Sequence, residues 1–127
     1  PGAPVRVDDG GAGDTVLRGD PQLLERALRN LLHNAVQATA AGGAAAAPIE
    51  VRLRRAADGL EIVVEDRGPG LPAELAGRLF DPFVTARPGG IGLGLALTHR
   101  IVGLHGGSVR LEEREGGGTR AVVRLPV

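Results

Sequence analysis

The sequence predicts an α+β fold, a two-layer α/β sandwich in which antiparallel strands pack against helices. Apolar residues recur at helical spacing after residue 20, which predicts a long helix there. Residues 49–66 instead alternate between apolar and charged side chains around an Asp-Gly pair, as a half-buried hairpin does. Because the predicted strands come as antiparallel hairpins interrupted by helices, the pattern disfavours a parallel βαβ array.

Length and composition exclude several classes of function. The 127 residues suffice for a single domain, which we expect to cover 1–127. The 15 basic and 15 acidic side chains cancel, which disfavours nucleic acid or an anionic membrane as the main partner. No cysteine is present, so a disulfide framework, a thiolate nucleophile and cysteine-bound zinc are excluded. All basic residues are arginine, which also excludes a lysine-dependent phosphate loop.

The first predicted elements are edge strands and a long helix. Short alternating pieces at 5–7 and 16–17 predict edge strands or a hairpin. Asp20-Pro21 predicts a helix start, because a capping carboxylate precedes proline at the first helical position. The helix is expected to end near Ala41-Gly42-Gly43. Its core-facing stripe comprises Leu23, Leu24, Ala27, Leu28, Leu31, Leu32, Ala35 and Val36.

The next predicted elements form a hairpin. Residues 49–55 and 60–66 are expected to pair as strands across a turn at Asp58-Gly59, and Gly68-Pro69-Gly70 ends the second strand. The remaining predicted elements are a short helix over 72–80, a loop over 81–90, a long helix over about 92–105 closed by Gly106-Gly107, and strands over about 108–113 and 119–126 that flank Gly116-Gly117-Gly118.

Two amides on the first helix are candidates for holding a cation. Asn30 and Asn34 stand four residues apart and therefore share a face, which Gln37 continues. An asparagine side chain offers a neutral oxygen to a hard cation such as Mg²⁺, whose other ligands are water and substrate phosphates. The ordinary alternative is a solvated helix face.

Asp66 is the candidate for recognising a planar ligand. It ends a predicted strand and is followed by Gly68 and Gly70. A carboxylate there can accept a hydrogen bond from an amino group of a ring that lies against the glycine backbone. Adenine offers such an amine, whereas guanine has an acceptor in that place and would be rejected. The alternative is an aspartate that merely begins a turn.

A glycine-rich loop before the second long helix is a candidate phosphate site. The run Gly90-Ile91-Gly92-Leu93-Gly94-Leu95 lets backbone N–H groups approach phosphate oxygens, and a helix N-terminus favours negative charge. No strand immediately precedes the run and no Gly-Lys-Ser/Thr follows, so neither the dinucleotide fingerprint nor a Walker loop fits. Phe80 and Phe83 could anchor a lid or complete the core. Arg87 could meet a phosphate or lie exposed in the loop.

These motifs taken in order carry a family resemblance. The run from Asn30 to Asn34, then Asp66-Arg67-Gly68-Pro69-Gly70, Phe80-Asp81-Pro82-Phe83, the glycine-rich loop and Gly116-Gly117-Gly118-Thr119 resembles the N, G1, F, G2 and G3 boxes of the catalytic and ATP-binding domain of bacterial sensor histidine kinases. The resemblance extends from about Val5 to Pro126. Over 80–102 and 34–38 it is nearest the nitrogen-regulation type of these kinases.

The resemblance implies a Bergerat-type ATP-binding fold, with a mixed, roughly five-stranded sheet backed by about three helices. It implies that Asn34 is the Mg²⁺ ligand, that Asn30 supports the phosphate side, and that Asp66 binds the adenine amine with a water near Thr119. Residues 84–91 would form the ATP lid. The implied ATP-binding residues are Asn30, Asn34, Gln37, Ala38, Asp66, Gly68, Gly70, Leu71, Phe83, Thr85, Arg87, Gly90, Ile91, Gly92, Leu93, Gly94, Leu95 and Thr119.

Three positions depart from the family pattern. Gln37 stands where many members carry lysine, so the contact it would make to a phosphate is neutral. Thr85 stands where some members place an arginine, a role that Arg87 could take. Ile91 replaces a common threonine.

The resemblance also implies a division of labour between domains. Relatives of the same fold that activate water or a hydroxyl carry glutamate four residues before the magnesium asparagine, and here that residue is Asn30. The expected function is therefore ATP-dependent phosphorylation of a histidine on a separate dimerisation domain, for relay to the receiver domain of a response regulator. The chain alone should lack autophosphorylation and have little ATPase activity.

The expected ligands are ATP or ADP and Mg²⁺, with no catalytic residue in the chain itself. The resemblance implies a cytoplasmic domain without nucleic-acid or membrane contacts, in a parent kinase that could be membrane-anchored. Two alternatives stay open: a serine kinase of the anti-sigma type, and a non-catalytic module of the same fold that binds nucleotide or a protein partner.

Overall fold

The structure, a computed structural model, describes residues 5–8, 10, 17–41, 48–70 and 94–126. Four strands form an antiparallel sheet in the order β2-β3-β5-β4: β2 (Ile49–Ala56), β3 (Gly59–Asp66), β4 (Ser108–Glu113) and β5 (Thr119–Pro126). A short strand, β1 (Val5–Asp8), pairs in parallel with β2 at the edge of the sheet. Two helices, α1 (Pro21–Ala41) and α2 (Gly94–Leu104), complete the described elements and confirm the α+β class.

The predictions for the N-terminal segments are confirmed in one case only, and the short helix cannot be compared. The edge strand expected at 5–7 is present as β1, but Leu17 lies in no strand, so the structure contains no hairpin ending at that residue. The helix expected over 72–80 and the loop over 81–90 lie outside the described residues, as does Val16. None of the helices in the described parts of the chain is long and apolar enough to cross a membrane.

Helix α1 begins where the sequence predicts. The Asp20 carboxylate accepts hydrogen bonds from the backbone N–H groups of Gln22, at 2.9 Å, and Leu23, at 3.3 Å, which satisfies two amides that have no partner inside the helix. Proline follows at the first helical position, where its missing N–H is not needed. Ala27, Leu31 and Ala35 are buried, as the predicted stripe requires.

Helix α2 ends in a glycine cap. Gly106 has φ 77°, a conformation that side chains with a Cβ rarely adopt. Its N–H donates to Gly103 O at 3.0 Å, and the N–H of Gly107 donates to Val102 O at 3.0 Å. This pair of bonds is the Schellman motif, which satisfies carbonyl groups at the helix end. The prediction that Gly106-Gly107 closes the helix is therefore confirmed.

The turn between β2 and β3 lies one residue earlier than predicted. Ala56 pairs with Gly59, so the turn residues are Ala57 and Asp58, and the expected turn at Asp58-Gly59 is wrong. Gly59 belongs to β3, where a Cβ would lie 2.2 Å from the carbonyl oxygen of Leu125 on β5. Close approach of the neighbouring strand, and not turn geometry, therefore requires glycine at this position.

The core lies between the helices and one face of the sheet. Side chains alternate across the strands, so that one face is apolar and the other carries charged ladders. The described buried apolar cluster comprises Leu31, Ala35, Ile49, Leu60, Ile62, Val64, Val102, Val109, Ala121, Val123 and Leu125. Helix α1 supplies its apolar stripe to this face.

The two helices run antiparallel along this face. His105, just after α2, accepts a hydrogen bond at Nε2 from the N–H of Asp20 at 3.0 Å, while its Nδ1 donates to Ile101 O at 2.8 Å. Farther along, Thr98 Oγ1 lies 3.3 Å from Ala27 O. The end of α2 therefore lies beside the start of α1, and the start of α2 lies beside the middle of α1.

Candidate functional site

Asp66 is the last residue of β3 and lies in the interior although it is ionisable. It is 5% exposed, and its Oδ1 accepts a hydrogen bond from the N–H of Gly68 at 2.9 Å. Burial raises the pKa of the Asp66 carboxyl above its ordinary value. Backbone hydrogen bonds from Gly68 and Thr119 and the charge of Arg114 oppose that rise in pKa. The end of β3 therefore presents a fixed, buried acceptor.

Gly68 and Gly70 bring the backbone after β3 close to its neighbours. A Cβ on Gly68 would lie 2.5 Å from the carbonyl oxygen of Ala38 on α1, so any side chain would force the two segments apart. Gly70 has φ 84°, which favours glycine. The predicted site residues Ala38, Gly68 and Asp66 thus lie together where α1 meets the end of β3.

The turn between β4 and β5 closes the site from the other side. Thr119, 8% exposed, pairs with Asp66 in the β3–β5 register. Gly118 has φ 103°, and a Cβ on it would lie 1.9 Å from the carbonyl oxygen of Asp66. Thr119 is thereby held against Asp66, and the water-assisted contact with adenine that the resemblance implies for this pair stays a prediction.

The start of the described part of α2 adjoins the middle of α1. Asn30 Nδ2 donates to the carbonyl oxygen of Gly94 at 3.4 Å, and Thr98 Oγ1 donates to the same oxygen at 3.0 Å. The predicted residues Asn30 and Gly94 are therefore in contact, with Leu95 next to Gly94 in the first described turn of the helix.

One face of α1 connects these two regions. Asn30, Asn34 and Ala38 are spaced by four residues, so they share a face that runs from the start of α2 to Gly68. At a rise of about 1.5 Å per residue the distance from residue 30 to residue 38 is about 12 Å. Asn34 and Gln37 are both half-buried. An elongated ligand could lie along this face with one end at Asp66 and the other at α2.

Eight predicted site residues lie outside the described residues and stay predictions. They are Leu71, Phe83, Thr85, Arg87, Gly90, Ile91, Gly92 and Leu93. Within the part of the chain that the structure describes, no group of three or more His, Cys, Asp or Glu side chains could hold a metal ion.

Glu65 and Arg114 next to the site were not identified from the sequence. Glu65 is 3% exposed on the opposite face of β3 from Asp66, where Arg52, Arg114 and Arg120 pair with it. A glutamate beside Asp66 at the end of an apolar strand was the available signal for the first residue. No sequence pattern marks Arg114, because its side chain pairs with the distant Glu65 and with backbone carbonyl groups, which every residue has.

The arrangement suits a ligand with a planar, amino-bearing end and an anionic end. The buried carboxylate can accept from the amino group, while the recess at Gly68 leaves no room for a side chain. The amide oxygens on α1 can coordinate a hard cation, and the N-terminal end of α2 favours negative charge.

Similar proteins carry the same arrangement of elements. A model of the family of histidine kinase-, DNA gyrase B-, and HSP90-like ATPases matches residues 19–127. The chain is 42% identical over 111 residues to the C4-dicarboxylate transport sensor protein DctS of Rhodobacter capsulatus and 38% identical over 118 residues to the sensor histidine kinase ZraS of Escherichia coli O157:H7. The structure of the mycobacterial sensor histidine kinase MprB superimposes on this chain with a TM-score of 0.81 and a sequence identity of 29%. The superposition covers 98% of this chain and 81% of the MprB chain.

The two sequence relatives are much longer than the matched region. The match to DctS covers 87% of this chain and 17% of that protein, and the match to ZraS covers 91% of this chain and 25% of that protein. The chain therefore spans a quarter or less of the relatives it matches.

Proposed function

Because the chain belongs to the family of histidine kinase-, DNA gyrase B-, and HSP90-like ATPases, we propose that it binds Mg-ATP. The chain is a catalytic ATP-binding domain of the sensor histidine kinase type. In our proposal it donates the γ-phosphoryl group of ATP to a histidine on a separate dimerisation domain. The phosphorylated histidine then passes the group to an aspartate of a response-regulator receiver domain. The observation that carries the proposal is the buried Asp66 carboxylate at the end of β3, between Gly68 and Thr119.

Asp66 selects the base in this proposal. The exocyclic amine of adenine donates to the carboxylate, which Gly68 N–H and Thr119 N–H hold in place. Guanine would turn a carbonyl oxygen toward the same carboxylate, and two acceptors repel each other. The ring lies where Gly68 and Gly70 leave space, and nucleotide contact by Leu71 and Phe83 stays a prediction from the family resemblance. Ala38 borders it from α1.

The amide face of α1 and the start of α2 hold the phosphates. Asn34 is the protein ligand of Mg²⁺, which neutralises phosphate charge when bound. Asn30 and Gln37 donate to phosphate oxygens, and the backbone N–H groups of Gly92, Leu93, Gly94 and Leu95 face them from the helix N-terminus. Phosphate contacts by Thr85 and Arg87, and a lid that includes Gly90 and Ile91, stay predictions from the family resemblance.

The transfer step needs a second domain. In it, the bond between the γ-phosphorus and the bridging oxygen breaks, a bond from phosphorus to the imidazole nitrogen forms, and ADP leaves. Such a step depends mainly on positioning and on stabilising charge. The chain has an amide, Asn30, where a carboxylate base would stand in water-activating relatives, so the base accompanies the acceptor histidine. Hydrolysis by the chain alone is therefore slow.

Residues 1–127 form one domain of a longer kinase in this proposal. The short coverage of DctS and ZraS supports it, since each of those proteins extends far beyond the match. The domain works in the cytoplasm without contacting nucleic acid or membrane. The nitrogen-regulation type remains our prediction for its subclass.

A labelling experiment tests the division of labour. The 127-residue chain is incubated with Mg-ATP labelled in the γ-phosphate, alone and with the dimerisation domain of its parent kinase added as a separate chain. We expect label on the added domain, none when its acceptor histidine is replaced by glutamine, and none on the 127-residue chain. Label on the chain itself, or an unlabelled acceptor domain, would contradict the proposal.

A further inference from the structure

Arg114 holds together the turn that closes the candidate site. Its guanidinium Nη1 donates to the carbonyl oxygens of Glu115 at 3.2 Å and Gly117 at 3.1 Å. Its backbone N–H donates to Gly118 O at 3.0 Å, and its carbonyl oxygen accepts from Gly117 N–H at 3.0 Å. One residue therefore makes four hydrogen bonds within the turn 114–118.

The turn has few other means of keeping its shape. Gly116, Gly117 and Gly118 have φ values of 88°, 107° and 103°, and none carries a side chain that could pack. Three consecutive glycines also lose much conformational freedom when the turn becomes ordered. The Arg114 side chain compensates by binding two carbonyl groups of the same turn.

Glu65 anchors the other end of the Arg114 side chain. Arg114 Nε lies 3.3 Å from Glu65 Oε2, and the glutamate side chain is only 4% exposed. The residue adjacent to Glu65 is Asp66, on the opposite face of the same strand. The turn is thus tied to β3 at the point where the candidate adenine carboxylate stands.

The position of the turn determines the surroundings of Asp66. Gly118 packs so closely on the Asp66 carbonyl that no Cβ fits, and the next residue, Thr119, donates its N–H to the Asp66 carboxylate. A displacement of the turn would therefore move this donor relative to the carboxylate.

We propose that Arg114 is a positioning residue for base recognition: anchored on buried Glu65, it holds the turn 114–118 so that Thr119 N–H fixes the Asp66 carboxylate toward the base. The proposal rests on the proposed function in that Asp66 receives the adenine amine. Arginine suits the role because its planar fork can serve a carboxylate and backbone carbonyls together, whereas the ammonium of lysine is a point donor.

Arg120 provides a matched control for Arg114. Arg120 Nη2 lies 3.4 Å from the same Glu65 Oε2, and its Nη1 lies 3.7 Å from Glu112, but the hydrogen bonds to the turn carbonyls come from Arg114. Arg114→Gln and Arg120→Gln therefore each remove one positive charge from Glu65, and only the first removes the side-chain bonds to the turn. Arg114→Gln also removes the charge that lowers the pKa of Asp66, so Arg114→Lys, which keeps a positive charge and lacks the planar fork, is measured beside it.

The test combines two measurements on the 127-residue chain. The first is calorimetric titration with ADP and with inosine diphosphate, whose base has an oxygen in place of the amine. The second is hydrogen exchange of the Thr119 and Gly117 amides without nucleotide. For Arg114→Gln we expect the preference for ADP over inosine diphosphate to fall about five- to tenfold, the size of one ordinary hydrogen bond, because the bond is displaced and not deleted, and both amides to exchange faster. Arg120→Gln should keep the wild-type preference and exchange.

The outcomes separate this proposal from the function on which it rests. Equal behaviour of Arg114→Gln and wild type in both measurements, or an equal loss in Arg120→Gln, would overturn the positioning role. A wild-type chain that binds no ADP would overturn the proposed function, while the exchange rates would still decide whether Arg114 holds the turn. If Arg114→Gln does not fold, Arg114→Lys and Arg120→Lys are compared in the same way, and only the first should exchange faster.

Discussion

The Asp66 carboxylate is the candidate group for base recognition, and its burial lowers the stability of the folded chain. Its carboxylate lies in the interior, where two backbone N–H donors and the charge of Arg114 only partly replace water, and burial raises its pKa. A site that must recognise an amino group keeps such an acceptor ready and desolvated. Binding sites commonly retain groups that the folded chain alone would be better without.

Replacing Asp66 by asparagine should therefore stabilise the ligand-free chain at neutral pH. The raised pKa means that the folded state holds the Asp66 proton more tightly than the unfolded state, so the stability that this group contributes is present in acid and is lost as pH rises through its folded pKa. We expect Asp66→Asn to raise the free energy of unfolding by about 1 kcal/mol at neutral pH. Urea denaturation followed by circular dichroism measures it.

The pH dependence separates this explanation from a general effect of removing charge. The advantage of Asp66→Asn should shrink as the pH is lowered below the folded pKa of Asp66, because the wild-type carboxyl is then neutral as well. Asp58→Asn, in the exposed β2–β3 turn, should change stability little at either pH. An Asp66→Asn chain that is less stable than wild type at neutral pH would contradict the account.

Individual site residues were predictable where the chemistry is local. Asp66 follows an apolar run and precedes two glycines, and Asn30 and Asn34 share a helix face, so their places in the fold follow from neighbours in sequence, while their roles stay predictions. Arg114 and Glu65 could not be predicted in the same way. Their pairing spans 49 positions of the chain (114 − 65) and depends on how β4, β5 and β3 are placed side by side.

At the scale of elements, the glycines stand in three different kinds of surroundings. Gly106 and Gly118 adopt positive φ, Gly68 and Gly59 make room for a backbone neighbour, and Gly103 has no atom within 4 Å of a Cβ position. Sequence patterns treat Gly59, Gly68, Gly106 and Gly118 alike, as marks of turns or of the ends of elements. The structure separates them, because close approach depends on which strand lies alongside.

A pair of alanine substitutions tests this distinction. Gly59→Ala places a methyl group 2.2 Å from Leu125 O, and we expect it to lower the free energy of unfolding by about 2 kcal/mol through overpacking between β3 and β5. Gly103→Ala, in open space on α2, should raise the same quantity by about 0.5–1 kcal/mol through helix propensity. Chemical denaturation measures both changes in the free energy of unfolding. Changes of the same sign in the two variants would show that the packing around one of these glycines is not as described.

The strand and helix bounds were predictable to within about one residue where capping or alternation marks them. Helix α1 begins after Asp20 and β5 covers Thr119–Pro126, as expected. The prediction placed the β2–β3 turn one residue too late because Asp-Gly is a strong turn pair. In the structure Gly59 already belongs to β3, where it pairs with β5. Local signals do not contain that third strand.

At the scale of the whole molecule, the described elements bring the site together at one end of the sheet. The contact of Asn30 with Gly94 and the hydrogen bond between Asp20 and His105 fix α2 along α1, while Gly68 fixes the end of β3 against Ala38. The antiparallel hairpins were predictable from alternation. The parallel pairing of β1 with β2 was not predictable from alternation in four residues, although the mixed, roughly five-stranded sheet that the resemblance implies includes such a strand.

Titration calorimetry of the wild-type chain with ADP and GDP is the decisive test of the proposed recognition of adenine at the end of β3. Calorimetry suits a chain without tryptophan or tyrosine, and Asp66→Asn and Asp58→Asn serve as the matched pair. We expect ADP to bind to wild type and to Asp58→Asn, and we expect GDP, or ADP with Asp66→Asn, to bind about 100-fold more weakly or not at all. Equal affinity for ADP and GDP, or unchanged ADP binding by Asp66→Asn, would contradict it.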